Sequence, residues 1–164
     1  MENGDNREGR EGREGREERE ERSESNSRLR LPAPRPDSPL STEAEWVMRH
    51  TIGCAIAVHR ALGPGFLESI YQKAMCIELA NRNLSFERER PIHVNYRGIQ
   101  IPGQRVDLII EGLIVVELKS VAQLDAVHRA QLISYLRTTG LKGGLLINFR
   151  VRVLKDGLQR VVLS

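Results

Sequence analysis

The sequence predicts an α/β fold of the α+β kind, a sandwich of helices and strands in the order helix, helix, strands, helix, strands. Three observations carry that reading. Two helix-period stretches are separated by the break Gly63-Pro64-Gly65. Strand-like segments then run from Ile92 to Lys119. A third helical stretch is followed by the short apolar run Gly144 to Asn148.

The elements follow in order. Residues 1–43 are expected to be a disordered tail: Glu-Gly-Arg repeats from Glu8 to Arg16, Glu and Arg then alternate, and four prolines lie between Pro32 and Pro39. Order is expected from Ser41, where a hydroxyl followed by Glu45 resembles a capping box, and the domain is placed at 44–164. The first helix runs to about Leu62, with Val47, Ile52, Ala55, Ile56 and Val58 on its apolar side. The second, about Leu67 to Arg82, places Leu67, Ile70, Ala74 and Ile77 on one face. Ile92 to Tyr96 and Ile99 to Ile101 form a hairpin about Arg97-Gly98. Arg105 to Ile110 and Leu113 to Lys119 form another about Glu111-Gly112. A third helix spans Asp125, its N-cap, to Thr139, and Gly140 stops it. Val151 to Leu154 and Leu158 to Leu163, joined through Asp156-Gly157, read as a C-terminal β-hairpin.

Composition narrows the classes. The 164 residues suffice for one domain with a modest core, and no stretch approaches the ~20 apolar residues that span a bilayer. Cys54 and Cys76 stand apart, which suits a reducing, cytoplasmic setting and argues against a disulfide framework or a zinc site. Residues 1–43 hold 9 Arg against 12 Asp and Glu; the other 16 basic and 10 acidic residues leave the folded part at +6. A basic domain suits a polyanionic partner such as nucleic acid, although many ordinary domains are as basic. No P-loop, dinucleotide fingerprint or Gly-x-Ser-x-Gly occurs, so no nucleotide cofactor is indicated.

Charge in the wrong place points to chemistry. Asp107 stands among Val106, Leu108, Ile109 and Ile110; Glu117 and Lys119 alternate with Val115, Val116 and Leu118. Strands disfavour such residues, and a buried charge must be paired or bind a metal. Counted from the turn at Glu111-Gly112, Asp107 and Glu117 can face each other across the hairpin. Two carboxylates suit Mg²⁺, and Lys119 can orient or deprotonate water. An internal salt bridge of Lys119 with one carboxylate fits the same spacing, and both readings stand at this point.

Val106-Asp107, nine residues, then Glu117-Leu118-Lys119 resembles the PD-(D/E)XK nuclease superfamily, with Val106 where that name has proline. Upstream, Gly65-Phe66-Leu67-Glu68-Ser69-Ile70-Tyr71 resembles the GxxExxY protein family within it. Pro91-Ile92, Val115 to Val121, His128-x-x-Gln131 and Gly144 to Phe149 look similar too, so the resemblance covers about residues 44–164. It implies a restriction-endonuclease-like core of helix, three antiparallel strands, helix and strand, with an extra N-terminal helix. It also implies a metal site of Asp107, Glu117, the Leu118 carbonyl and Glu68, with Lys119 catalytic and Mg²⁺ or Mn²⁺ as cofactor. From position alone, Glu68 equally suits the positive end of a helix.

On the third helix, Gln131 is the candidate polar contributor to the pocket, as related nucleases often have one there. His128 reads as a capping or structural histidine, and His59 as a cation near a helix end. Tyr71 can bond Glu68 or pack, and packing is the simpler reading. The expected function is divalent-metal-dependent phosphodiester hydrolysis of nucleic acid, DNA ahead of RNA. A non-catalytic nucleic-acid-binding module is the alternative, and a structural protein with an internal ion pair a third. Edge pairing of a hairpin allows a homodimer.

Overall fold

The computed structural model describes residues 38–164. The tail expected over residues 1–43 lies, up to residue 37, outside the described residues. Residues 38–43 already serve the fold, since Leu40 is buried and Ser41 caps the first helix. That helix, α1 (Thr42–Leu62), starts where the Ser41 hydroxyl accepts the Ala44 N–H at 3.1 Å. Glu45 does not complete a capping box. It is buried at 1% exposure and receives Arg160 Nη1 at 2.9 Å, with Arg160 Nη2 and the Ser38 hydroxyl on its other oxygen. A buried carboxylate needs such a set of donors, and this one ties the start of α1 to the far end of the sheet.

Helix α2 (Glu68–Asn81) follows the Gly-Pro-Gly break. Its buried face is Tyr71, Gln72, Met75 and Leu79, whereas Leu67, Ile70 and Ile77, expected to mark an apolar face, are exposed. Apolar residues surround this helix, so the period of 3.6 admits two stripes, and Tyr71, Met75 and Leu79 at i, i+4, i+8 are the one that packs.

Five strands form one sheet in the order β1 (Phe86–Tyr96), β2 (Ile99–Ile110), β3 (Ile114–Lys119), β4 (Gly143–Asn148) and β5 (Leu158–Val162). All neighbours are antiparallel except β3 and β4, which are parallel and need the crossover helix α3 (Ala126–Thr139). β1 and β2 are longer than the sequence suggested: they form one long hairpin, its register shifted between Ile92 and Val94, that turns at Arg97-Gly98 (φ 51° and 83°), where Asn95 Oδ1 accepts the Gly98 N–H at 2.9 Å. Pro91 is tolerated because β1 is an edge strand. The C-terminal hairpin is a correction. Val151 to Leu154 is no strand; a 3₁₀ turn at Leu154–Gly157 leads into β5, which pairs with β4 instead.

Helices lie on both faces of the sheet. One core joins Val47, Met48, Val58, Tyr71, Met75 and Leu79 of α1 and α2 to Leu108, Ile110, Val116, Leu118 and Ile147. A smaller one joins Leu132, Tyr135 and Leu136 of α3 to Val106, Ile109, Val115 and Leu146. Strand β4, covered on both faces and paired on both edges, is buried at every residue. No helix among the described residues is long and apolar enough to cross a membrane.

Candidate active site

The loop before α2 is shaped by Tyr71. Gly65 takes φ 115°, a conformation that side chains resist, and so turns the chain toward Leu67. The Tyr71 hydroxyl donates to Gly63 O at 2.6 Å and accepts the Phe66 N–H at 3.2 Å, while its ring lies 4.4 Å from that of Phe149, nearly parallel. Tyr71 therefore packs, as its position suggested, and its hydroxyl serves the loop rather than Glu68. Ser120, just beyond β3, donates to Phe66 O at 2.7 Å from the other side. These bonds set Glu68 as the first residue of α2, close enough to Lys119 and Asp107 for their charges to act on it. The spacing Gly65, Glu68, Tyr71 thus has a local mechanical reason. Tyr71→Phe is expected to cost about 1 kcal/mol, the net worth of a typical hydrogen bond. A urea midpoint equal to that of the wild type would show the hydroxyl to be idle.

On the sheet, the paired register of β2 and β3 ends at Leu108 opposite Val116, one residue short of Asp107 and Glu117, whose charges lie close enough to act on each other. Asp107 Oδ2 accepts the Leu118 N–H at 2.8 Å, a side chain closing the ladder where the strands part. Alternation puts Glu117 and Lys119 on the face of Val115, toward α3. Lys119 Nζ lies 2.6 Å from Glu117 Oε1, with the two side chains 13% and 3% exposed. Glu117 Oε2 is buried without a hydrogen-bond partner, alone in this among the described residues. Beyond Lys119, Asn148 holds the chain by exchanging bonds with Val121 N and O at 3.1 and 2.8 Å.

All three carboxylates titrate above their ordinary range. Burial, then the charge of Asp107, pushes Glu117 up to about 7. Burial is also the leading cause for Asp107 and Glu68; the Leu118 N–H and Lys119 respectively oppose it. The carboxylates outweigh burial at Lys119 and hold its ammonium above the usual lysine value. One lysine against three acids leaves the cluster short of positive charge.

A cleft of about 130 Å³ is lined by Glu68, Ser69, Gln72, Glu89, Asp107 and Leu118. Ser69, Gln72 and Glu89 are residues that sequence reasoning missed. Glu89 falls between the paired Arg88–Leu108 and Arg90–Val106 positions, hence opposite Asp107, and takes φ 50° there. No pattern of residue types announces such a break in an edge strand. Gln131 does not line the cleft; its Nε2 donates to Tyr135 Oη at 2.6 Å. Tyr135 is the member of that pair that senses the cluster, its phenol raised by burial and then by Glu117. His128 Nδ1 accepts the Asp125 N–H at 2.9 Å, the capping role expected. His59 bonds Val151 O at 2.8 Å through Nε2 and stacks near Phe149.

Among the described residues, no group of three or more His, Cys, Asp or Glu side chains is gathered to hold a metal ion, and Glu117 turns one oxygen to Lys119. The donors nevertheless suit a hard divalent cation: carboxylate oxygens, one of them the orphaned Glu117 oxygen, and an unbalanced negative charge. The family model of the PD-(D/E)XK nuclease superfamily matches residues 45–161. No curated protein and no solved structure matches the chain.

Proposed function

The chain belongs to the PD-(D/E)XK nuclease superfamily, and from that premise we propose that it hydrolyses phosphodiester bonds of DNA with Mg²⁺ or Mn²⁺. The observation that carries the reading is Glu117: a buried carboxylate with one oxygen unsatisfied, within reach of the charge of Asp107 and against Lys119. Asp107, Glu117, Glu68 and the Leu118 carbonyl would hold the cation, which supplies charge neutralisation at the phosphate and a more acidic water. Lys119, kept as an ammonium by its acidic neighbours, orients the attacking water and meets phosphate charge. Tyr135, held by Gln131, stands on α3 near enough to Glu117 for the charge of that carboxylate to act on its phenol. The Gly65, Glu68, Tyr71 spacing supports a place in the GxxExxY family, and the free thiols Cys54 and Cys76 suit a cytoplasmic setting.

The Lys119–Glu117 contact also supports a second reading, a nucleic-acid-binding module whose cluster is a structural ion pair. A screen of DNA and RNA forms with Mg²⁺ and Mn²⁺ separates the two. The wild type is expected to cut DNA and to melt at a higher temperature with Mn²⁺, and Asp107→Ala to lose both effects. Equal cutting by the purified variant would sink the nuclease reading, and binding without turnover would favour the module.

A further inference from the structure

The β1–β2 hairpin outruns the sheet. β2 pairs with β3 only from Leu108 onward, so from Val106 to the turn at Arg97-Gly98 each strand has only the other as a strand partner, and beyond Ile92, which is still buried against α3, the ribbon projects from the core. Val94 faces Ile101 and Tyr96 faces Ile99 across the ribbon, and alternation puts all four on one side. None is covered: Tyr96 is 57% and Ile99 67% exposed. Asn95 and Gln100 face each other on the opposite side.

Charge says what such an arm meets. From Arg90 to Val106 there is no Asp or Glu, against Arg90, His93, Arg97 and Arg105. Arg90 and Arg105 make only exposed ion pairs, with Glu87 and Glu89, which a phosphate can displace. Arg97 lies over the Tyr96 ring, 5.4 Å from its centre. Between the arm and the end of α3 runs a groove of about 480 Å³ lined by His93, Val94, Asn95, Gln100, Arg137 and Thr138, again without an acid. A second copy of the arm would bring like charge to like charge.

We propose that this arm lies in the major groove of a B-form DNA duplex and holds it across the cleft, an inference that rests on the DNA-hydrolase reading of the site. A two-stranded ribbon fits a groove roughly 12 Å wide, and the apolar side chains of its uncovered face suit thymine methyl groups. β2 runs from the arm straight to Asp107. Eight residues separate Ile99 from Asp107, a span of roughly 27 Å, or about eight base pairs at 3.4 Å each. The arm therefore grips the duplex most of a turn away from where Asp107 acts.

The test measures binding of the whole chain to a 20-base-pair duplex in EDTA, by fluorescence anisotropy over a salt series. The proteins are the wild type, Asp107→Ala, and a triple arm variant of Tyr96→Ser, Arg97→Ala and Ile99→Ser. The arm variant is expected to bind about 10-fold more weakly or worse, with a salt slope lower by about one for the lost phosphate contact. Its melting temperature should match the wild type, because the three side chains are exposed. Wild-type affinity in the arm variant overturns the arm while leaving the hydrolase reading intact, as does absence of duplex binding by the wild type. Arm-dependent binding without metal-dependent cleavage upholds the arm and sinks the hydrolase instead. Conversion of a dimer to a monomer by the arm variant, at unchanged duplex affinity, assigns the surface to a second copy and overturns the proposal.

Discussion

Glu117→Gln is expected to end metal-dependent cleavage and, in the same variant, to stabilise the metal-free protein. The loss of activity should be on the order of 10²–10³-fold, the few kcal/mol that a metal's charge stabilisation supplies. The gain in stability follows from where Glu117 titrates. Its carboxyl ionises near 7 in the fold against 4.5 in the open chain. Between these values the native state holds the extra proton, so wild-type stability is fully present below 4.5 and falls as pH rises through 7. The ceiling on that loss is about 3 kcal/mol. Glutamine carries no charge to desolvate, yet it gives up the ion pair and leaves an amide in place of the orphaned oxygen. A net gain of about 1–3 kcal/mol at pH 8, shrinking toward zero by pH 5, is the outcome to look for in urea melts with EDTA. A variant less stable than wild type at pH 8, or one whose advantage ignores pH, would show that Glu117 is satisfied where it sits. Lys119→Ala is the natural partner: it leaves the same carboxylate without its cation and should destabilise at pH 8 more than at pH 5.

Phe149→Ala is expected to cost about 3–5 kcal/mol, a large share of the stability of any single domain. The ring is fully buried, stacked face to face on Tyr71 at 4.4 Å, and the Phe149 N–H is held by Lys119 O at 2.9 Å. Truncation opens a hole under the tyrosine that shapes the loop before Glu68, and under the strand end that carries Lys119. Phe66→Ala is the control, for Phe66 is 47% exposed and meets Tyr71 only edge-on. It should cost less than about 1 kcal/mol. A Phe149 variant that loses under about 1.5 kcal/mol would mean that the loop and strand end are braced elsewhere.

How far the molecule could be read beforehand depended on whether local rules and packing agreed. Asp125, Gly140 and the two tight turns were legible because caps and positive-φ turns are decided by a few neighbouring residues. Asp107, Glu117 and Lys119 stood out because each violates the apolar pattern of its own strand. The length of β1 and β2 was hidden by Pro91, Pro102 and Gly103, which punctuate a chain unless a partner strand overrides them. Glu89 was hidden for a related reason: it belongs to the cleft through its place opposite Asp107, a matter of register rather than residue type. The buried face of α2 was misjudged because either of two apolar stripes could have met the sheet.

The parallel pairing of β3 with β4 also sets an order of assembly. The strands of Asp107 and Glu117 are joined by a three-residue loop, and that of Glu89 by the adjoining hairpin, so these acids meet through contacts close in sequence. The brace that Asn148 and Phe149 give to Lys119 and Val121 arrives only after α3 has carried the chain back across the sheet. Local closures form quickly and distant ones slowly. During synthesis Glu89, Asp107 and Glu117 are therefore expected to meet before the strand end that carries Lys119 is braced. A chain halted before β4 should hold the acids without the scaffold that makes them a site.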